Sequence, residues 1–175
     1  MQRADFIETV QRKVAVSAIV PSAMRGQGKG MVASAQGFLA SLPLTRIPAS
    51  HAGRFRDWLD HQTETLVKRL PTTPRRWGAA RKALNLFLRD SLYNQYLSQN
   101  FGLSRVEPWL EIPLDGAVAR GLKAAAGRGV LPAWPGVKHL TCDISDEYQR
   151  FASERARSLG LDRVHLDIYL WLQNR

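Results

Sequence analysis

The chain has 175 residues, 45% hydrophobic and 23% charged, which fits one globular domain or two small lobes that share a core and excludes a large multidomain assembly. Its single cysteine, Cys142, excludes an internal disulfide, and no apolar run approaches the roughly 18 residues of a membrane span, so we expect a cytoplasmic protein that does not cross a membrane. Lys and Arg number 25 against 15 Asp and Glu, and the formal net charge of +10 favours a polyanionic partner such as nucleic acid.

Apolar residues recur every three or four positions along most of the chain, which predicts an all-α fold. In chain order the predicted helices cover residues 3–20, 30–42, 51–70, 76–99, 116–126, 145–159 and 162–173. Proline residues separate several of them, and Ser50 and Ser145 are the predicted starts of the third and sixth. The stretch 125–137, rich in Gly and Pro, is the longest predicted loop.

A glycine-rich turn at residues 25–30 precedes the second predicted helix. Its backbone amides could bind a phosphate, but its spacing is not that of a Walker loop and no strand comes before it. A flexible basic turn is the simpler interpretation.

A basic block lies on the third and fourth predicted helices and the segment between them, where no acid occurs between Glu64 and Asp90. Its members are Lys68, Arg69, Arg75, Arg76, Arg81, Lys82 and Arg89. Clustered basic side chains neutralise phosphates, so the block predicts a DNA-binding surface. The alternative is a solvated basic face that only keeps the protein soluble.

Within this block, Lys82 is close to the start of a helix whose other face is apolar. Neighbouring arginines and partial burial would disfavour its charged ammonium and leave a neutral amine available as a nucleophile. The alternative is a lysine that contacts a phosphate.

A second candidate group is Asp115, which follows Pro113 and precedes a helical run. That position predicts a helix N-cap, where amide hydrogen bonds and the helix dipole favour the ionised carboxylate. Such a carboxylate could stabilise positive charge at C1′ of a nucleotide as its base departs. The alternative is a cap with no further role.

Four side chains invite a metal interpretation, namely His139, Asp143, His165 and Asp167. Histidine and aspartate on amphipathic helices are more often hydrogen-bonding or capping groups. The sequence therefore predicts no metal and no cofactor.

Three segments resemble the helix-hairpin-helix DNA glycosylases, most closely the compact archaeal-type 8-oxoguanine DNA glycosylases. KALNLFLRD at 82–90 resembles the lysine-containing helix of that family, and PLDGAVARGL at 113–122 resembles the segment with its essential aspartate. VHLDIYLW at 164–171 resembles its C-terminal helix. The three segments occur in the family's order, whereas residues 1–70 match poorly.

The resemblance implies a two-lobed helical fold with a DNA cleft between the lobes, in which residues 1–70 form one lobe and residues 71–175 carry the hairpin and the Lys and Asp motifs. Lys82 would attack C1′ and form a Schiff base, assisted by Asp115. The residues that would bind DNA are Lys68, Arg69, Arg75, Arg76, Gly78 and Arg81. The candidates for the base pocket are Trp77, Trp109, Trp171 and Asp167, with Trp134 as a further aromatic side chain.

Some features depart from the family. Only Gly78 remains of the glycine-rich hairpin, residues 93–106 form an apparent insertion between Lys82 and Asp115, and the chain ends soon after Trp171, where the family has a longer lysine-bearing tail. These departures favour a base other than 8-oxoguanine, such as a hypermodified cytosine of phage DNA, and therefore a role in antiviral defence. Repair of 8-oxoguanine-like damage stays open.

The sequence thus predicts a monomeric DNA glycosylase that flips a damaged or modified base out of double-stranded DNA and excises it, with or without a strand-cleaving lyase activity. A non-catalytic DNA-binding module is the main alternative. An RNA-binding protein is less favoured, because no aromatic sheet motif is present.

Overall fold

The structure is a computed structural model that describes residues 3–71 and 76–173. Its helices are α1 Arg3–Ala18, α2 Met31–Ala40, α3 Ala52–Arg69, α4 Trp77–Tyr93, α5 Gln95–Phe101, α6 Gly116–Ala126, α7 Cys142–Ser158 and α8 Leu166–Gln173. Single 3-10 turns occur at Leu44–Arg46, Leu103–Arg105, Glu107–Trp109, Val137–His139 and Arg163–His165. The described residues contain no strand, so the all-α prediction is confirmed. No helix in this part of the chain is both long enough and apolar enough to span a membrane.

The predicted helix 76–99 is two helices, because the chain breaks at Asn94. This residue has an extended backbone (φ −82°, ψ 112°), and its side-chain oxygen accepts a hydrogen bond from the amide of Leu97 at 3.1 Å. Asparagine favours such local bonds over a helix interior, so it ends α4 and caps α5.

Two predicted helix starts are also corrected. Helix α7 begins at Cys142 with Thr141 as its N-cap, and Ser145 is buried inside the helix. Helix α3 is capped by His51, whose ring nitrogen accepts from the amide of Gly53 at 3.0 Å, and Ser50 stands one residue earlier. In both helices the residue that caps is the one with an extended backbone, Thr141 before α7 and His51 before α3.

The buried apolar residues form two clusters. The first cluster comprises those between Ile7 and Leu110 together with Val164, and the second comprises those between Ile112 and Leu170. Helix α4 gives its buried residues to the first cluster, although the prediction grouped it with the C-terminal half. Trp77 packs against both clusters. Trp77, the first residue of α4, therefore lies where the two clusters meet.

A buried ion pair supports α4 from the side. Arg81 is 2% exposed and donates to both oxygens of Glu111, at 2.8 and 2.9 Å, and to Asp60 at 2.7 Å. Burial alone would raise the pKa of Glu111, but the charges of Arg81 and Arg163 and hydrogen bonds from Arg81 and Asn85 outweigh it and lower that pKa to about 2. The carboxylate is therefore ionised in the folded protein.

Replacing Glu111 with glutamine is expected to lower the free energy of unfolding by about 3–5 kcal/mol, because Arg81 then stays buried without the carboxylate that accepts from both Nε and Nη2 and keeps only the partly exposed Asp60. Urea unfolding at neutral pH measures this loss. The matched control is Glu64→Gln at an exposed position of α3, with an expected change below about 0.5 kcal/mol. A loss at Glu111 no larger than in the control would contradict the prediction.

The same pair predicts a pH dependence. Because the pKa of Glu111 is lowered from 4.5 to about 2, the unfolded chain takes up a proton in mild acid that the folded chain does not. The stabilisation that the ionised Glu111 contributes is complete above pH 4.5 and disappears as the pH falls towards 2. The difference between the wild type and Glu111→Gln should therefore shrink over that range.

Gly78, in the first turn of α4, is buried where the helix meets the segment 137–140. A Cβ atom there would lie 2.4 Å from the carbonyl oxygen of Val137 and 2.7 Å from Cβ of Leu140. The glycine is therefore needed for close packing. This packing role is separate from the predicted contact of Gly78 with DNA, which stays a prediction.

Gly78→Ala is expected to destabilise the protein by about 1–3 kcal/mol, since the added methyl group cannot be accommodated without moving backbone. Gly37→Ala is the matched control, because Gly37 is exposed within α2 and a Cβ there meets nothing within 4 Å. That control should stabilise the protein by up to about 1 kcal/mol through helix propensity. Thermal or urea unfolding of both variants gives the comparison, and equal effects would disprove the packing argument.

Candidate active site

Lys82 on α4 and Asp115 at the start of α6 lie side by side. The distance from Nζ of Lys82 to Oδ2 of Asp115 is 3.6 Å. The two residues are remote in sequence and belong to elements that support different clusters, so only the tertiary fold brings them together. This is the juxtaposition that the glycosylase interpretation requires.

Asp115 is a helix cap, as predicted. Its Oδ1 accepts from the amides of Ala117 and Val118 at 2.9 and 3.0 Å, and its backbone is extended. The other oxygen, Oδ2, is the one that faces Lys82. One carboxylate therefore satisfies the amides of the first turn and also presents negative charge to the lysine.

Lys82 is 9% exposed, and its Nζ also donates to the carbonyl oxygen of Ala23 at 3.0 Å. The expected partial burial is confirmed. The expected crowding by arginines is not observed for the two described ones, because Arg81 is bound to Glu111 and Arg76 to the turn before α2. The neighbours of the amine are a carboxylate and a carbonyl, both acceptors.

Asp115 also lines a cavity of about 430 Å³, together with residues from α4, α6 and α8, whereas Lys82 is not among the lining residues. Its polar and aromatic lining consists of Arg89, Asp90, Tyr93, Asp115 and Asp167. The volume lies within the range of about 300–1,000 Å³ that is common for ligand sites. A larger cavity of about 710 Å³ lies between α1 and α2 and is lined by none of the predicted site residues.

Asp167 forms part of the cavity wall together with Arg89. Arg89 donates to Oδ2 of Asp167 and to Asp90, at 2.7 Å in the latter case. Burial raises the pKa of Asp167, although the charge of Arg89 opposes that shift. Oδ1 of Asp167 is buried and makes no hydrogen bond within the described parts of the chain. The cavity wall thus contains a largely buried carboxylate that is paired with Arg89.

Comparison with known proteins does not place the chain in a family. No family model matches it, and neither a curated protein nor a solved structure matches it. The function is therefore argued from the geometry of these residues.

The tryptophans predicted for the base pocket are not among the residues that line this cavity. Trp77 lies against the guanidinium of Arg81 at 5.3 Å, and Trp109 packs beside Phe55 with ring centres 6.1 Å apart. Trp134 makes an edge contact with Tyr148, with ring centres 5.4 Å apart. The side chain of Trp171 lies outside the described residues. Trp77 and Trp109 therefore do not line this cavity, and their role in a base pocket stays a prediction.

The aromatic side chain in the cavity wall is Tyr93, the first residue of the apparent insertion at 93–106. Its ring is stacked on His165, with centres 5.6 Å apart, and its hydroxyl is 2.8 Å from Nδ1 of that histidine. Burial and the charge of Asp167 raise the pKa of Tyr93 to about 12. A usable signal existed, because Leu86, Arg89 and Tyr93 recur at helical spacing on one face of α4.

The basic block is less exposed than its sequence indicates. Lys68 and Arg69 are exposed at the end of α3, as a DNA surface requires. Arg81 is buried in ion pairs, so the prediction that it contacts DNA is wrong. Arg76 donates to the backbone carbonyls of Gly26 and Gln27. Arg75 lies outside the described residues.

One group within the described residues has suitable atoms for a metal ion: Glu107, Asp162 and His165, whose ligand atoms lie within 4.8 Å of one another. Nε2 of His165 already bonds to Glu107 at 2.8 Å. Of the four residues considered from sequence, only His165 belongs to this group.

Proposed function

We propose that this protein is a DNA glycosylase that takes a damaged or modified base from double-stranded DNA into the cavity beside Asp115 and cleaves its N-glycosidic bond. The observation that carries the proposal is the 3.6 Å approach of the Lys82 amine to the carboxylate of Asp115, a residue that lines that cavity. A buried amine and a carboxylate are the nucleophile and the electrostatic partner that this reaction needs.

In the proposed reaction, Lys82 loses a proton to solvent while Asp115 stays ionised, and the neutral Nζ attacks C1′. The bond from C1′ to the base breaks, and the base leaves with the electron pair and takes up a proton from solvent. Asp115 stabilises the positive charge that develops on the sugar. Opening of the sugar ring gives a Schiff base, and its hydrolysis leaves an abasic site and restores Lys82.

The cavity supplies features that suit a flipped base. Asp167 lines the cavity, where a carboxylate can accept a hydrogen bond from an N–H group on the base edge, and the ring of Tyr93 offers an aromatic face. Lys68 and Arg69 supply exposed positive charge for DNA phosphates. We further propose that the two clusters correspond to the two lobes of the helix-hairpin-helix glycosylases, with the DNA cleft between them.

The substrate is proposed as either 8-oxoguanine-like damage or a hypermodified cytosine of phage DNA, and a panel of duplexes tests both. The protein is incubated with duplexes that contain 8-oxoguanine, hypermodified cytosine or only normal bases, and abasic sites are counted. We expect release from at least one modified duplex and none from the normal one. Release of 8-oxoguanine alone would remove the antiviral role.

A non-catalytic DNA-binding module is the second candidate, favoured by the internal partners that both residues already have. Asp115 caps α6 and Lys82 bonds to the carbonyl of Ala23, so the pair could serve only to join two helices. Tight duplex binding with no abasic sites on any substrate would select this candidate.

A further inference from the structure

We propose that the turn formed by residues 21–30 positions the Lys82 amine, and that Arg76 acts by holding this turn and not by binding DNA. The inference rests on the proposed function for its catalytic meaning. The turn, Arg76 and Gln27 are positioning elements, because they act on the reaction through Lys82.

The first step is the contact between the turn and the amine. The carbonyl oxygen of Ala23 accepts a hydrogen bond from Nζ of Lys82 at 3.0 Å, and Oδ2 of Asp115 lies 3.6 Å from the same nitrogen. A neutral amine has two N–H bonds and one lone pair. With one N–H donated to the carbonyl of Ala23, the directions open to the other N–H and to the lone pair are restricted.

The second step is the attachment of the turn to α4. Nη1 of Arg76 donates to the carbonyl of Gly26 at 3.0 Å, to the carbonyl of Gln27, and to the side-chain oxygen of Gln27 at 3.3 Å. Gln27 is only 5% exposed, so these bonds lie at the inner side of the turn. Gly26 has a φ of 74°, which bends the chain back towards Arg76.

The third step is that the anchor and the nucleophile share one helix. Arg76 directly precedes α4, and Lys82 lies in its second turn. The helix fixes the spacing between them, so an arginine that holds Gly26 and Gln27 also fixes where the carbonyl of Ala23 meets the amine. Loss of the Arg76 contacts should release that carbonyl and let Nζ turn away from Asp115.

The test uses three variants with the same loss of charge: Arg76→Gln, Arg69→Gln and Arg46→Gln. Arg69 is a predicted phosphate contact, and Arg46 is exposed on the turn after α2 and serves as the control. Two measurements are made on each protein. One is the NMR signal of the Lys82 side chain in free protein with labelled lysine, followed over pH and assigned by its absence in Lys82→Gln. The other is the salt dependence of binding to a short unmodified duplex. It is expressed as the slope of the logarithm of the binding constant against the logarithm of the salt concentration, called the salt slope below.

Arg76→Gln is expected to change the chemical shift and the pH profile of the Lys82 signal while leaving the salt slope of binding as in the wild type. On a duplex that the wild type cleaves, its single-turnover base release should fall about tenfold or more, as small misplacements of a nucleophile do. Arg69→Gln should reduce the salt slope by about one and leave the Lys82 signal unchanged. Arg46→Gln should change neither.

An unchanged Lys82 signal in Arg76→Gln would overturn the proposal, whether or not the salt slope falls. If Arg76→Gln does not fold, Arg76→Lys is used instead. It keeps the positive charge and one donor nitrogen, so a smaller change in the Lys82 signal is expected. If the signal changes as expected but no duplex loses a base, the positioning of Lys82 stands and the glycosylase function fails.

Discussion

Asp115→Asn is expected to abolish base release while leaving the fold intact. The asparagine side-chain oxygen can still accept from the amides of Ala117 and Val118, because asparagine caps helices about as well as aspartate. The negative charge beside Lys82 is lost, however, and with it the stabilisation of the charged sugar. Loss of one such electrostatic group lowers the rate by roughly 100-fold or more. Counting abasic sites under single-turnover conditions measures the effect.

Asp143→Asn is the matched control, because Asp143 is exposed in the first turn of α7 and the substitution removes the same charge. It should leave base release at the wild-type rate. Asp115→Ala separates the two roles of the residue, since it should also cost about 1 kcal/mol of stability through loss of the cap. Full activity of Asp115→Asn, with normal stability, would show that Asp115 is only a cap.

The second large effect concerns the covalent intermediate. Borohydride should reduce the Schiff base between Lys82 and C1′ and trap the wild-type protein on a substrate duplex. Lys82→Gln should give no trapped complex, because an amide nitrogen cannot attack C1′. Electrophoresis of the reduced mixture under denaturing conditions detects the complex.

Lys123→Gln provides the control for this experiment. Lys123 is also partly buried and also donates to backbone carbonyls, those of Leu131 and Pro132, but it is not the lysine that faces Asp115. The trapped complex should form normally in this variant. Base release by the wild type without any trapping would instead make water the nucleophile and Lys82 an electrostatic group.

Local signals in the sequence predicted the helices and the cap. The apolar spacing located the helices because one face of each must be buried, and Pro113 followed by Asp115 indicated the start of α6. The break at Asn94 was missed because the apolar spacing continues across it. A single side-chain bond to the amide of Leu97 there outweighs a weak helical preference.

The roles of the charged residues were harder to predict, because their partners are distant in sequence. Arg81 belongs to an uninterrupted basic block, yet its charge is neutralised by Glu111 and Asp60 from other parts of the chain. Gly78 was predicted to contact DNA because of its position near the hairpin. In the structure, the absence of a side chain at Gly78 leaves room for the carbonyl of Val137. The Lys82–Asp115 juxtaposition was expected only from the family resemblance, since spacing along the chain does not report distance.

The return of Val164 to the first cluster has a consequence for how the protein unfolds. The chain leaves that cluster after Leu110, builds the second one, and then places Val164 back in the first, where Arg163 bonds to the carbonyls of Trp109 and Leu110. Neither cluster can melt without exposing part of the other. Heating should therefore give one cooperative calorimetric transition, and a chain cut between the two clusters should fold only when both fragments are mixed.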